Sequence, residues 1–303
     1  MNLHKKHLLA FFALAAASTI WGVNSPIMKI TLQTVPVFTL AFIRFGIASL
    51  ILFPFVFKKL HITKQDLPKV IFAGICAVTL NIGFFFWGIK LTTALNAGII
   101  VSCTPIFSLF FAKFFLKETI APKLVLGAIF GAIGIGFLIG RDLFAHGFSF
   151  FPAGDLLILC ATLSFVGYET ISKKLTTTYS SFALTYCFFL VGALTFLPLA
   201  FFENTHNPHW IQGINTITIL GILYGIFFSS LGAYSLWEWG LSQVTESRVG
   251  FFFYLDPITA TIAAVLLLGE KITLPFVIGA LFIFAGIFIA EGHLPYHHLH
   301  RHK

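Results

Sequence analysis

Long apolar blocks separated by short polar segments make up nearly the whole chain. The blocks are continuous rather than amphipathic, and each approaches the roughly 20 apolar residues that an α-helix needs to cross a bilayer. The pattern predicts an all-α integral membrane protein with ten transmembrane helices and no soluble domain. The predicted helices lie near residues 8–30, 36–57, 69–90, 92–115, 122–140, 154–174, 181–202, 216–240, 247–268 and 274–291.

The composition also indicates lipid as the solvent of this chain. Hydrophobic residues make up 58% and charged residues 10% of the 303 residues, whereas soluble domains carry roughly 25% charged residues. The net charge of +8 comes from basic residues in short loops, which topology explains better than nucleic-acid binding. The four cysteines lie in apolar blocks without a CxxC pair, so we predict neither a disulfide nor a metal site.

The distribution of lysine and arginine predicts the side of the membrane on which each helix end lies. With a cytoplasmic N-terminus, fourteen of the 19 basic residues fall on cytoplasmic segments, four on outer ends and one within a span. Basic residues favour the cytoplasmic side of a membrane. We therefore predict a multi-pass protein of the cell inner (cytoplasmic) membrane, with both termini in the cytoplasm.

The two halves of the chain repeat each other at a constant offset of 152 positions. Unrelated apolar helices share Leu, Ile and Phe through composition alone, but these halves also share Trp, Pro, Glu and Gly in one register. The matches include Trp87 with Trp239, Pro105-Ile106 with Pro257-Ile258, Glu118 with Glu270, and Gly134-Ile135 with Gly286-Ile287. Earlier in each half the offset is 145, which pairs Gly22 with Gly167, Asn24 with Glu169 and Lys29 with Lys174.

Each half contains five predicted helices, and an odd number turns the second half upside down in the membrane. The predicted domains are a first repeat at residues 1–145, a second, inverted repeat at 146–292 and a histidine-rich cytoplasmic tail at 293–303. Inverted repeats are common in secondary transporters, where the two halves exchange conformations and expose a central site to each side in turn. The repeat therefore favours a transporter.

Motifs spread along the chain are similar to those of a known family. They are residues 17–29 (ASTIWGVNSPIMK), Arg44 within residues 43–45, residues 254–258 (YLDPI), residues 268–270 (LGE) and Gly279-Ala280. In this order and spacing they resemble the EamA family of the drug/metabolite transporter superfamily. The resemblance covers roughly residues 8–291. It implies ten helices around a central cavity and export of small metabolites, often amino acids, with nucleotide-sugar carriers as more distant relatives.

Charged residues within a span are costly, by at least about 2.5–3.5 kcal/mol at the membrane centre, and they usually face a cavity or a partner. Arg44, Glu169 and Asp256 are the main candidates. Arg44 either binds a substrate carboxylate, since a guanidinium group suits planar oxyanions, or is the structural partner of Asp256 or Glu169. The two acidic residues are candidates for proton coupling; alternatively, Asp256 bonds to backbone freed by Pro257.

Proline and polar residues complete the predicted site. Pro105 and Pro257 remove backbone donors at matching positions of the two halves, and interrupted helices at such positions are a good indicator of a transport site. Trp237 and Tyr234 line an aromatic cavity or belong to an interfacial belt. Glu118 and Glu270 are expected to stabilise the starts of the fifth and tenth helices. The predicted substrate-binding residues are Arg44, Asn24, Asn81, Glu169, Tyr168, Thr104, Tyr254, Asp256, Trp237 and Tyr234.

The leading functional hypothesis is a secondary transporter that exports amino acids or related small metabolites by alternating access. A carrier of nucleotide sugars, nucleosides or other organic anions is the alternative, and a non-transporting scaffold is a remote one. The chain has no HExxH motif and no glycine-rich phosphate loop, so neither an enzyme nor an ATP-driven pump is expected. We predict no cofactor and no metal. The expected partners are a small-molecule substrate and the lipid bilayer, and the protein is a monomer or a homodimer.

Overall fold

A computed structural model of the chain describes residues 3–117, 120–146, 153–244, 249, 252–253 and 255–291. The described residues form helices and connecting segments without strands. The helices are α1 (Leu3–Thr31), α2 (Val37–Val56), α3 (Leu67–Gly74), α4 (Asn81–Leu91), α5 (Ala94–Val101), α6 (Thr104–Phe115), α7 (Pro122–His146), α8 (Ala153–Leu175), α9 (Ser181–His206), α10 (Thr216–Leu223), α11 (Ser235–Gln243), α12 (Leu255–Leu268) and α13 (Leu274–Glu291). The predicted tail, residues 293–303, lies outside the described residues.

Six helical segments in the described part of the chain are long and apolar enough to cross a membrane. They are Leu8–Thr31, Val37–Val56, Leu67–Leu91, Ala153–Leu175, Ser181–His206 and Thr216–Gln243. The other four predicted spans coincide with shorter apolar helices, at Thr104–Phe115, Val125–Gly134, Leu255–Leu268 and Leu274–Gly286. The all-helical class and the membrane character are confirmed, and the count of ten spans stays a prediction.

The predicted helix at residues 92–115 is divided into α5 and α6. Residues 102–103 lie between them as a turn, two residues before Pro105. Because Pro105 has no N–H, the carbonyl of Val101 loses its helical donor. The Thr104 hydroxyl donates to that carbonyl at 2.5 Å, so the interruption leaves no orphaned backbone acceptor at this position.

Two π-helical segments occupy matching positions in the two halves. Ile75–Leu80 joins α3 to α4, and Tyr224–Tyr234 joins α10 to α11. Adding the repeat offset of 152 to the first segment gives residues 227–232, which lie inside the second. π-Helical turns are rare and frequently mark functional positions. The repeat therefore extends from sequence to an unusual backbone feature.

Helices that match in the repeat also pack on matching partners. The most extensive contacts join α2 with α9 and α7 with α13, and each of these pairs consists of helices that match in the repeat. Helix α1 packs on α12, α11 and the second π-helical segment. Its match, α8, packs correspondingly on α5, α6, α4 and the first π-helical segment. Each half therefore makes the same set of contacts with the other.

The outer surface of the bundle is strongly apolar. Large hydrophobic side chains such as Leu50, Phe55 and Phe288 are more than 70% exposed. Such a surface is far more apolar than a soluble monomer tolerates, and it suits contact with acyl chains. By contrast, the largest fully buried side chains include Trp237 and Arg44, so the polar chemistry lies inside.

One surface contact ties the loop before α3 to the turn between α8 and α9. The Asp66 carboxylate accepts hydrogen bonds from Lys69 at 2.7 Å and from the Tyr179 hydroxyl at 2.8 Å. These bonds, that from Lys69 first, hold the pKa of Asp66 below its usual range. The contact is exposed and therefore contributes little to stability.

Candidate functional site

A cavity within the bundle is lined by polar and aromatic residues from both halves. Six of the predicted site residues line it together: Asn24, Arg44, Asn81, Thr104, Tyr234 and Asp256. They come from α1, α2, α4, α6, the second π-helical segment and α12. The space open to the centres of water molecules is about 70 Å³, enough for only a few waters. The cavity is thus narrow in this conformation.

Arg44 is fully buried and is held by neutral groups. Its Nε donates to the carbonyl of Gly225 at 3.0 Å and to Ser230 Oγ at 2.7 Å, and Nη2 donates to Ser229 Oγ at 2.7 Å. All three partners belong to the second π-helical segment. The guanidinium also lies over the ring of Phe45, 5.0 Å from its centroid.

The positive charge of Arg44 has no acidic counterpart in the described part of the chain. The ion pairs there join Lys29 to Glu270 and Lys69 to Asp66, and neither includes Arg44. Its Nη1 is buried without a hydrogen-bond partner. The hypothesis that Arg44 is the structural partner of Asp256 or Glu169 is therefore not supported by the geometry. A buried, unpaired charge is costly.

Two acceptor oxygens in the same cavity are also unpaired. Asn24 Oδ1 and Asp256 Oδ1 are buried without a hydrogen-bond partner. The Ser18 hydroxyl lies near the Asp256 carboxyl group but makes no hydrogen bond of good geometry. The residues that line the cavity therefore include an unsatisfied N–H donor on a cation and two unsatisfied acceptor oxygens.

Three other predicted residues line the cavity with their polar groups already bonded. Asn81 Nδ2 donates to the carbonyl of Ala161 at 2.9 Å, and the Tyr234 hydroxyl donates to the carbonyl of Ala77 at 3.0 Å. The Thr104 hydroxyl bonds to Val101 as described above. These contacts join helices to one another, which is the usual role of polar groups in membrane bundles.

Glu169, Tyr168 and Trp237 do not line the cavity but belong to a separate buried cluster. Trp237 Nε1 donates to Glu169 Oε1 at 2.9 Å, and the Tyr168 hydroxyl donates to Glu238 Oε2 at 2.5 Å. Ser172 donates to the other oxygen of Glu238. Trp237 is fully buried, so it does not belong to an interfacial belt; it packs behind the cavity wall, with its ring centroid 4.4 Å from that of Phe253. Tyr254, the remaining predicted residue, lies outside the described residues.

The aromatic wall of the cavity was missed in the sequence. Trp21, Phe85, Phe165 and Phe253 line it. Trp21 lies edge-on to Phe165 and Tyr234, with ring centroids 5.5 and 5.1 Å apart, and its Nε1 donates to the carbonyl of Ser229 at 3.0 Å. Phenylalanine is so frequent in this chain that its position gave no signal. Trp21 and the Ser229-Ser230 pair, being rarer in apolar blocks, were the available signals.

The prediction for Glu270 was wrong. Its carboxylate lies at the start of α5, in the first half, rather than at the start of α13. It accepts from the backbone N–H groups of Ala94 and Leu95, both at 3.1 Å. Glu118, its match in the repeat, lies outside the described residues.

The family was decided by comparison with known proteins. The model of the EamA-like transporter family matches residues 8–140 and again residues 152–291. The chain belongs to this family. The two matches coincide with the two predicted repeats, and the predicted family is confirmed.

Relatives of the EamA-like chain extend over nearly its full length. An uncharacterized transporter of Archaeoglobus fulgidus is 27% identical over 95% of this chain and 98% of its own. The uncharacterized transporter YetK of Bacillus subtilis is 28% identical over 94% of this chain and 87% of its own. A solved crystal structure superposes with a TM-score of 0.69 at 20% identity, covering 95% of this chain and 96% of that one, and so shares the fold. The chain is thus a multi-pass membrane protein of a transporter family.

Proposed function

We propose that this EamA-like protein is a secondary transporter of amino acids or closely related zwitterionic metabolites, and that the central cavity is its substrate site. The observation that carries the proposal is the unpaired guanidinium edge of Arg44 in the same cavity as the unpaired oxygens of Asp256 and Asn24. A guanidinium suits a carboxylate, and acceptor oxygens suit an ammonium group. An amino acid carries both groups on one small molecule.

Alternating access is the proposed mechanism, by ten spans in two inverted five-helix repeats. The exchange-related helix packing, the matching π-helical segments and the two family matches support it. The cavity lies between the halves, where such transporters bind their substrates. Export across the inner membrane, with both termini cytoplasmic, is proposed from the family resemblance and the distribution of basic residues.

The proposal is tested by counterflow in proteoliposomes with labelled amino acids, nucleosides, sugars and organic anions. We expect exchange of at least one amino acid. Its decarboxylated amine and its deaminated acid should each compete at least about tenfold less well, because a hydrogen bond to a charged group contributes about 1.5–3 kcal/mol. Exchange of nucleosides, nucleotide sugars or simple organic anions alone would support the alternative carrier, and failure of every compound would support a scaffold.

Proton coupling through Asp256 is the proposed source of energy. A carboxylate that binds the substrate ammonium cannot hold a proton at the same time, so the two ligands would alternate and give antiport. We expect Asp256→Asn to lose pH-gradient-driven transport while retaining counterflow with a KM raised about tenfold, by loss of one charged hydrogen bond. The measurement compares both modes in the same proteoliposomes.

Glu169→Gln is the matched variant for this experiment. Glu169 is buried but bonded to Trp237 outside the cavity lining, so pH-gradient-driven transport should survive its neutralisation. If transport by Asp256→Asn still follows the pH gradient and Glu169→Gln no longer does, then coupling belongs to the cluster around Glu169 instead.

A further inference from the structure

A cluster of polar contacts joins both halves of the protein at the end of the bundle where α1 ends. Lys29 Nζ donates to the carbonyl of Thr92 at 2.6 Å and lies 3.5 Å from Glu270 Oε1. The same carboxylate accepts from the N–H groups of Ala94 and Leu95. The Thr92 hydroxyl donates to Asp155 Oδ1 at 2.5 Å. Four segments that are distant in sequence thus meet at one point.

Each segment joined here belongs to, or follows, a helix that also lines the cavity. Ser25, one helical turn before Lys29, lines the cavity, as do Gly98 and Val101 on α5 and Ala161 on α8. Glu270 follows the end of α12, and the cavity residue Asp256 lies at the start of that helix. Separation of the four segments would therefore move helices that line the cavity.

The backbone turns at Gly269, directly before Glu270. Gly269 adopts a left-handed conformation with φ of 65°, and the N–H of Glu270 donates to the carbonyl of Ala264 at 3.3 Å. The N–H of Gly269 donates to the carbonyl of Val265 at 3.2 Å, which is the αL arrangement of a helix end. The position that matches Gly269 in the repeat is Lys117, and it is also left-handed, with φ of 57°. Lysine pays an energetic penalty in that conformation, so the shape is maintained despite an unfavourable residue.

The opposite end of the bundle carries a similar lysine contact, made by Lys173, the neighbour of the residue that matches Lys29 in the repeat. Lys173 Nζ donates to the carbonyls of Leu241, at 2.6 Å, and of Val244. Val244 is the residue that the offset of 152 matches to Thr92. Each end therefore has a lysine on the carbonyl of the residue that directly follows α4 or α11. Both contacts are formed in this conformation, in agreement with the narrow cavity.

We propose that the Lys29–Glu270–Thr92 cluster is the gate that closes one end of the transport cavity. This inference rests on the proposed alternating-access function. The ion pair is suited to repeated opening, because its side chains are 25% and 15% exposed and water can replace their contacts. A fully buried pair would cost several kcal/mol to break. Neutralising either charge weakens the closed gate and shifts the protein towards the state that is open at this end.

The gate is tested by the accessibility of a single cysteine in the cavity. The background replaces Cys76, Cys103, Cys160 and Cys187 and carries Val101→Cys, a near-isosteric change in the cavity wall. A membrane-impermeant maleimide is added to either face of sealed vesicles of known orientation. We expect Lys29→Gln or Glu270→Gln to raise the labelling rate from the gate face at least about tenfold, a shift of about 1.4 kcal/mol.

The variant Lys29→Gln tests the ion pair alone, because Glu270 can still accept the hydrogen bonds from the N–H groups of Ala94 and Leu95. The double variant should label no faster than the faster single variant, since the two charges act as one contact. Lys271→Gln removes an exposed neighbouring charge and should label like the background. Lys29→Arg keeps the charge and should also label like the background, even where Lys29→Gln fails to fold.

Unchanged labelling in both neutralised variants, with counterflow intact in the unmodified protein, would overturn the gate and leave the transport proposal standing. Absence of counterflow by the unmodified protein with every amino acid would instead contradict the proposed function, whatever the labelling shows. If Lys271→Gln raised the labelling rate as much as Lys29→Gln, the effect would come from surface charge in general, and the gate would also be overturned.

Discussion

Replacing Arg44 with glutamine is expected to abolish amino-acid counterflow while leaving a folded protein. Glutamine keeps a donor group for Ser229 or Ser230 but removes the positive charge and the unpaired Nη1. The substrate carboxylate would then enter a buried site with no charge to balance its own. The loss of one charge-assisted bond alone amounts to about 1.5–3 kcal/mol, and an uncompensated carboxylate in the bundle adds to it.

Counterflow at fixed substrate concentration should therefore fall at least about a hundredfold, since each 1.4 kcal/mol is a factor of ten. Folding is checked by gel filtration and thermal unfolding in detergent. The folded state should tolerate the change or gain from it, because Arg44 lacks an acidic partner in the described part of the chain and its burial is costly. Full counterflow by folded Arg44→Gln would eliminate Arg44 as the substrate-binding residue.

Two further variants separate charge from anchoring. Arg44→Lys keeps the charge but not the planar fork, so it should retain weak counterflow with a raised KM. The double variant Ser229→Ala/Ser230→Ala removes two anchoring bonds and keeps the guanidinium. It should retain more transport than Arg44→Gln. If the serine variant loses as much transport as Arg44→Gln, Arg44 acts mainly by holding the π-helical segment in place.

The sequence was sufficient for the features that the membrane itself imposes. A bilayer demands long apolar helices, so the six helical segments that are long enough to cross it could be placed within a few residues. Charged and amide groups cannot face lipid, so Arg44, Asp256 and Asn24 had to point inward. These three residues meet in one cavity for that reason, although they lie on different helices.

The sequence does not show which face of a helix points into the cavity when the helix is buried on several sides. Asn24 and Glu169 match in the repeat, yet Asn24 lines the cavity and Glu169 bonds to Trp237 outside it. The residue that matches Trp237 is Phe85, which lines the cavity. Hydropathy treats all four positions as interior, and only side-chain packing decides which of them reaches the cavity.

The capping of a helix by a residue distant in sequence could not be predicted from the sequence either. Glu270 was expected to act on the helix that follows it, because the helix dipole acts over the first turn of its own chain. Its actual partners, Ala94 and Leu95, are more than 170 residues away in sequence.

The interrupted helix at residues 102–103 was foreseeable only in part, because Pro105 predicts a disturbance without fixing whether the chain bends or forms a turn.

Gly22 and Gly167 match in the repeat, but their replacement by alanine should change the stability of the protein in opposite directions. At Gly22 an added Cβ would lie 1.9 Å from Thr259 Oγ1 and 2.7 Å from the backbone oxygen of Asp256. The Thr259 hydroxyl can rotate, but the backbone carbonyl cannot move unless α12 shifts away from α1. At Gly167 an added Cβ would have no atom within 4 Å. One site is therefore a close helix contact and the other is open.

Gly22→Ala should destabilise the protein by about 1–3 kcal/mol, the usual cost of overpacking. Since α1 carries Asn24 and α12 carries Asp256, their separation would also distort the substrate site, so counterflow should fall at least about tenfold. Gly167→Ala should leave counterflow unchanged and raise the thermal unfolding midpoint slightly, because alanine suits a helix better than glycine by roughly 0.5–1 kcal/mol. The two midpoints and the two counterflow rates are measured in parallel. Equal effects at both positions would mean that the contact between α1 and α12 does not position the two acceptor groups, and the cavity would have to be defined by the other helices alone.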